Sequence, residues 1–456
     1  MSELLSAAER AVKLAMKRGF DEVEVFSTKI IRREIIYRNK IEAAKTNTLA
    51  GLSIRGILNK RLGFYSVSSL DHRDVENAID QAIKIAKANQ EDPDWHALPR
   101  KYGKTQVKKT IDENIEDLGA KDLVKEVQLA VDTVQAVEPS LAITRGYIST
   151  TVHYNAIANS HGCGLERKET GAASWIAVKA GTSEEKGVSH ESSQSHFWKG
   201  LKTEHIAKTV SERALKMLHA KPIQNGKANT VWRNDAFASI VDTMLAPTIA
   251  ADAVQNNRSP WVGKLGQMVA SENVSIIDEG KMVGGMGTRA FDDDGTPQRQ
   301  VPVVEKGILR NFLYDTYTAN KENRLSTGNA HRDIGTFSAA ANYTRLPSPY
   351  PNNLVVEPNS TDPEEVIRET RNGLYVVETI GEWLSNPIGG DVSATVSSGF
   401  LIESGEFGRA VKGVIVTSNF FEMLKGKMDL RANDLEISGS VYAPTTQVLD
   451  MTVAGD

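Results

Sequence analysis

The chain has 456 residues, 40% of them apolar, and its 54 lysines and arginines against 58 acids leave a net charge of −4. That balance offers no electrostatic footprint for a nucleic-acid backbone, and the length exceeds one ordinary domain, so two domains of roughly 200 residues are expected. Cys163 is the sole cysteine, which excludes an internal disulfide and any thiolate cluster for zinc or iron–sulfur, and no apolar run is long enough to span a membrane.

The first segment reads as a helix, with Leu5, Ala8, Val12 and Ala15 on one stripe and Gly19 placed to end it. Its charges (Glu3, Glu9, Arg10) interrupt the apolar core a signal peptide needs, so a soluble, cytoplasmic chain is expected. From Asp21 to about Ser69 the runs EVEVFST, REIIYRN, AGLSIRGI and GFYSVSS predict a meander of short strands. A second helix comes next, with Asp71 as its N-cap and Val75, Ile79, Ala82 and Ala86 as its stripe. Residues 90–116 have no periodicity and read as a connector.

The same order then recurs. A helix with Leu123, Val127, Val131 (or Ala130) and Val134 stops at Pro139, strand-like runs fill about 140–198, and a helix with Ala207, Val210, Ala214 and Met217 closes near Ala220. One more helical stretch is expected from Asn234 to about Gln255, and most of the remaining chain is β-like, with helical interruptions at 363–372 and 419–426. The fold class expected is α+β: an N-terminal domain, residues 1–225, of helices packed on antiparallel strands (helix, strands, helix, twice), and a β-rich C-terminal domain, residues 226–456.

Several stretches invite a chemical reading. HESSQSH places His190, Glu191 and His196 close together, but zinc proteases need two histidines at i and i+4 of a helix. A separation of six residues is about 240° of rotation on a helix and about 20 Å on a strand. The serine content and the preceding turn at Glu184 to Gly187 favour a strand, with His190 and His196 as exposed strand or edge residues. His72, His96, His153, His161, His205, His219 and His331 form no ligand-spaced pair. In FDDDGTPQR, Asp292 to Asp294 have Pro297 where a calcium loop needs glycine, so a simple Asp-Gly turn between two β-runs is the better reading; an independent hydrolase built on these aspartates and a distant histidine stays as a third alternative. The glycine-rich stretches 282–288 and 386–391 lack the strand, loop, helix order of a phosphate cradle and fit tight turns or close approach of a peptide backbone. Cys163, two residues from His161 and surrounded by glycines, is a poor candidate for a nucleophile.

The second half carries VVEKGILRNFLYDTYTANKENRLSTGNA, TRNGLYVVETIGEW, GGDVSATVSSGFLIESGEFGRAVKGVIVTSNFFEML and DLEISGSVYAPTTQVLDMTVAG, in that order. Together with the Asn-Ser-x-Gly turn at Asn159 to Gly162, this resembles the TldD/PmbA family over nearly the whole chain, a family once described as modulators of DNA gyrase and now read as a metalloprotease system. The resemblance implies two branches that pair as a heterodimer. In the TldD branch a helix early in the second domain carries HExxxH, and a cysteine near the C-terminus is a third zinc ligand. Here DTMLAP, Asp242 to Pro247, stands at the helix motif, Ser438 at the cysteine position, and no histidine occurs between His219 and His331. The chain therefore resembles the PmbA/TldE branch. That implies no catalytic, cofactor or metal residues of its own, zinc in a TldD-like partner, and a peptide substrate held at strand edges, with neither nucleic acid nor membrane as a partner. A homodimer that binds peptides or another ligand without proteolysis is the alternative.

Overall fold

The computed structural model describes residues 2–182, 185–332 and 342–455; Glu184, where the turn before HESSQSH was expected to begin, lies outside them. In chain order the N-terminal half comprises α1 (Glu3–Lys17), β1 (Glu22–Tyr37), β2 (Ile41–Leu58), β3 (Arg61–Val67), α2 (His72–Ala88), α3 (Ala120–Val137), β4 (Ala142–Asn159), β5 (Gly164–Gly181), β6 (Lys186–Ser195) and α4 (Thr203–Lys216). The helices form where the stripes predict. Ser2 caps α1 by accepting from Leu5 N, and Gly19 lies past its end at φ +102°, a conformation that glycine adopts without penalty. Asp71 sits at the N-cap of α2 but makes no side-chain capping bond.

Helix, strands, helix does occur twice, and the two copies share one antiparallel sheet of order β3-β2-β1-β4-β5-β6. Its centre is the β1–β4 pair, running from Glu24 opposite Asn159 to Tyr37 opposite Gly146. Gly146 is needed there, since a Cβ would fall 2.3 Å from the Tyr37 ring. Helices α1 and α2 bury Ala8, Val12, Val75 and Ile79 against Val25, Leu52 and Ile54, while α3 and α4 bury Leu123, Val127, Ala207 and Val210 against Ile148, Ile176 and Val178. The expected meander is present, with most of GFYSVSS on the seven-residue β3, but its first two strands are longer than expected. EVEVFST and REIIYRN are one 16-residue strand, and AGLSIRGI is only the end of an 18-residue one. The first half of β2 is largely exposed, so it lacks the apolar alternation that would have revealed it.

The C-terminal half contains β7 (Gly226–Trp232), α5 (Asn234–Met244), α6 (Ala251–Gln255), β8 (Ile276–Glu279), β9 (Gln300–Glu305), β10 (Ile308–Leu309), α7 (Thr316–Lys321), β11 (Ala330–His331), β12 (Ser348–Pro349), β13 (Leu354–Val356), α8 (Pro363–Thr370), β14 (Gly373–Ile380), β15 (Asp391–Glu403), β16 (Glu406–Val411), β17 (Val414–Asn419), β18 (Met428–Arg431), β19 (Glu436–Ser438), β20 (Val441–Ala443) and β21 (Thr446–Ala454). One sheet has the order β10-β9-β8-β13-β20-β19. Another runs β14-β7-β21-β17-β15-β16, and because β14 also pairs with β15 it closes on itself. The fold is thus α+β with a β-rich second half. The helix expected over 234–255 is two helices, broken at 245–250 around Pro247, whose missing N–H and ring are incompatible with a helix interior. Among the described residues no helix is long and apolar enough to cross a membrane.

Candidate functional site

A cleft of about 530 Å³ lies between the two halves, with Trp175, Ser192, Ser193 and Gln194 on one wall and Asp242, Tyr350, Ile437 and Ser438 on the other. Both walls end in open sheet edges: β6 is terminal in the N-terminal sheet, and β19 in the sheet opposite. An edge strand carries unpaired backbone donors and acceptors, a template for an added strand. On β6 their direction can be read from His190, whose N–H donates away from β5 to Glu378 Oε1 at 3.2 Å and whose carbonyl accepts from Arg213. Strand alternation then turns the main-chain groups of Ser192 and Gln194 outward as well; Ser192 N–H is taken up by Glu191 Oε1 at 3.4 Å, which leaves the N–H of Gln194 for the cleft. A 140 Å³ extension continues between the same edges, past Glu191, Arg233 and Glu436.

The β6 edge is held to the C-terminal half by ions. Glu378 of β14 accepts from Ser189 Oγ at 2.6 Å and Arg213 Nη1 at 2.9 Å and faces His190 Nδ1 at 3.2 Å. Burial acts to raise its carboxyl, and these bonds overcome burial and hold it at about 2. Glu191 binds Arg213 and Arg233 at 2.8 and 2.6 Å.

Two of the positions that the resemblance to the TldD branch marks for metal, Asp242 and Ser438, meet at this cleft. Within DTMLAP, Asp242, Thr243 and Pro247, at the positions of the two histidines and the glutamate of HExxxH, are half-buried while Met244, Leu245 and Ala246 are buried, so the motif positions are the ones that reach the surface. Asp242 and Ser438 line the same cleft. The residues present do not fit zinc, which takes three or four Cys, His or carboxylate ligands; here there is one carboxylate beside a threonine, a proline and a serine. Asp242 is already engaged, its Oδ1 accepting from Ser440 Oγ at 2.8 Å and Tyr350 Oη at 3.3 Å, and burial raises its carboxyl above the usual range. Among the described residues no group of three or more His, Cys, Asp or Glu side chains is placed to hold a metal.

The other sequence candidates are dispersed. His190 is an exposed edge residue, as expected, but His196 is not: it is buried just past β6, its ring nitrogens at Thr170 O (2.6 Å) and Gly285 O (3.0 Å). Cys163 is buried, its thiol pushed up to about 12 by burial, and His161 Nε2 meets Glu22 instead, at 2.6 Å. Gly287 belongs to a close approach of the chain's own backbone, since a Cβ there would lie 1.9 Å from Asn352 O.

Asp292 to Asp294 do form a turn, with Gly295 N donating to Asp292 O, but it is no exposed connection. All three carboxylates are buried, in an ionic seam between the halves. Arg55 bridges Glu24 (2.6 Å) and Asp294 (2.8 Å), Arg332 reaches Glu24 (2.8 Å) above the Phe26 ring, and Arg167 holds Asp293 (2.6 Å). His331 bonds Asn352 rather than any of these aspartates, so the arrangement is structural and lacks the acid–base geometry of a hydrolase. Sequence reasoning passed over Arg289, which lines both the cleft and an adjoining 200 Å³ pocket.

Family models cover most of the chain: PmbA/TldA metallopeptidase domain 1 matches residues 23–86, the central domain 110–218 and the C-terminal domain 225–455. An uncharacterized protein of Methanocaldococcus jannaschii is 28% identical over 96% of this chain and 97% of its own length. A metalloprotease PmbA homolog of Haemophilus influenzae is 25% identical over 100% of this chain and 96% of its own. The crystal structure of TldE from Thermococcus kodakarensis superposes with a TM-score of 0.89 at 24% identity, covering 98% of this chain and 100% of that one, a likeness of fold. With its C-terminal model alone spanning half of the sequence, the chain belongs to the TldD/PmbA family.

Proposed function

We propose that this chain is the non-catalytic, PmbA/TldE-like subunit of a two-protein metallopeptidase of the cytoplasm, confining an unfolded or small peptide while a TldD-like partner carries the zinc and performs the hydrolysis. The observation that carries this reading is the pair of open strand edges, β6 and β19, facing one cleft. An extended peptide laid between them would gain main-chain hydrogen bonds without regard to its sequence. Among the described residues the cleft's polar groups form no metal set, and Asp242 is held by Ser440 and Tyr350. On this reading bond breaking belongs to the partner, whose zinc would supply an activated water.

The test is to purify the chain alone, and together with a TldD-like protein of the same organism, and to measure zinc and cleavage of an unstructured peptide in each sample. The expected result is co-purification, with zinc and cleavage only when the partner is present. Stoichiometric zinc or peptidase activity in the chain alone would contradict the proposal. Failure of the two proteins to associate, with a stable homodimer that still binds peptide, would replace it with a peptide-binding homodimer.

A further inference from the structure

Among the described residues lining the cleft, one cation has unspent hydrogen-bonding capacity. The Arg289 guanidinium is 20% exposed and has a single ion pair among the described residues, Nη1 to Asp293 Oδ2 at 3.8 Å, beyond hydrogen-bond range. Asp293 is already taken: its Oδ1 accepts from Arg167 Nη2 at 2.6 Å and its Oδ2 from Arg332 N at 2.7 Å. The backbone behind the fork is fixed, with Arg289 N donating to Gln298 Oε1 at 2.6 Å. No side-chain hydrogen bond from Arg289 to a described residue is formed, although guanidinium offers five donors in a planar fork.

Its surroundings suit an anion. Burial first and Arg289 next push His153 and His331 down to about 4, so Arg289 carries the positive charge of this corner without them. Ser174, in the wall of the same cleft, is buried and its hydroxyl has no hydrogen-bond partner among the described residues. At the opposite end of the trough Glu191 and Asp235 are paired with Arg233, and the exposed Glu436 at the rim is the lining carboxylate with no ion pair among the described residues.

We infer that Arg289 is the carboxylate subsite of the cleft, receiving the C-terminal carboxylate of a bound peptide and so fixing its direction, with the amino end toward Glu436. Planar bidentate pairing with a carboxylate is the geometry for which arginine is suited, and the partly desolvated setting strengthens it. This rests on the peptide-cleft reading above and adds a substrate class to it: short peptides with a free C-terminus.

The experiment measures binding to the full chain by calorimetry, using one unstructured peptide without acidic residues in three forms: free C-terminal acid, C-terminal amide, and amide with one internal glutamate. The acid is expected to bind about tenfold more tightly than the amide, as the loss of one charge-assisted contact implies. Arg289→Gln should reduce acid binding to the amide's level and leave the amide unchanged. Equal binding of acid and amide by the wild-type chain would overturn the subsite while the cleft reading stood. Recovery of the acid's affinity by the internal glutamate would overturn its assignment to the chain terminus. Absence of binding by all three would overturn the cleft reading itself. The acid-to-amide ratio of the wild-type chain decides the matter even where the variant folds poorly.

Discussion

Two charged regions lie between the halves of this molecule, and they are built on opposite terms. In the seam, Arg55, Arg167 and Arg332 each meet one or more buried carboxylates within hydrogen-bond distance, and the turn Asp292 to Asp294 is consumed in doing so. In the cleft, Arg289 faces the same Asp293 from 3.8 Å and gives no side-chain hydrogen bond to a described residue. The contrast teaches that charge at an interface between halves is not by itself a site. A saturated ion has its chemistry spent on holding the fold, and only an unsaturated one is available to a ligand.

The largest expected effect falls on the seam. Arg332→Met removes the second cation from Glu24, a fully buried carboxylate, and should lower stability by about 3–5 kcal/mol in chemical denaturation, the cost of breaking a buried pair by deleting one partner. A loss below about 1 kcal/mol would mean that the seam is held by packing instead.

A second way to sharpen the comparison is pH. Burial, and next the charge of Asp294, lift the Asp315 carboxyl to about 7 in the fold, from an ordinary value of 3.8. The folded chain therefore binds a proton that the unfolded chain has released between those values, and Asp315 withdraws stability as pH rises from about 4 to about 7. Asp315→Asn keeps an amide oxygen to accept from Thr318 N and should flatten that part of the stability–pH curve. An unchanged slope would show that Asp315 does not titrate there.

Smaller effects belong to the cleft. Gly287→Ala pushes a methyl toward Asn352 O and should cost about 1–3 kcal/mol by overpacking the cleft wall. Arg289→Gln, which breaks no hydrogen bond to a described residue, should change stability by less than about 0.5 kcal/mol in the same denaturation assay. A loss as large as that of Arg332→Met would erase the distinction between seam and cleft.

The same division separates the legible from the hidden in the sequence. The helices were legible because their apolar stripes are buried as helical periodicity requires, and the repeated order of elements was legible from them. The long β1–β2 ribbon was not, because exposed residues on β2 leave no alternation to read. The break at Pro247 had a signal, the proline itself, which the apolar stretch around it outweighed. The family motifs located the cleft by way of Asp242 and Ser438, but Arg289 stood among glycines with nothing in its spacing to mark it. The burial of Asp292 to Asp294 and His196 depends on partners far away in the chain, Arg55, Arg167 and the carbonyls of Thr170 and Gly285, which no local pattern discloses.

The central claim is that a peptide is held by the open edges of the sheets, and binding of an unstructured peptide to Gln194→Pro tests it most directly. The outward N–H of Gln194 lies on an edge strand, where proline removes a donor without breaking the pairing with β5. The account predicts an unchanged unfolding transition and a loss of peptide affinity of about tenfold, measured by calorimetry on the full chain. Unchanged affinity in a folded variant would contradict it.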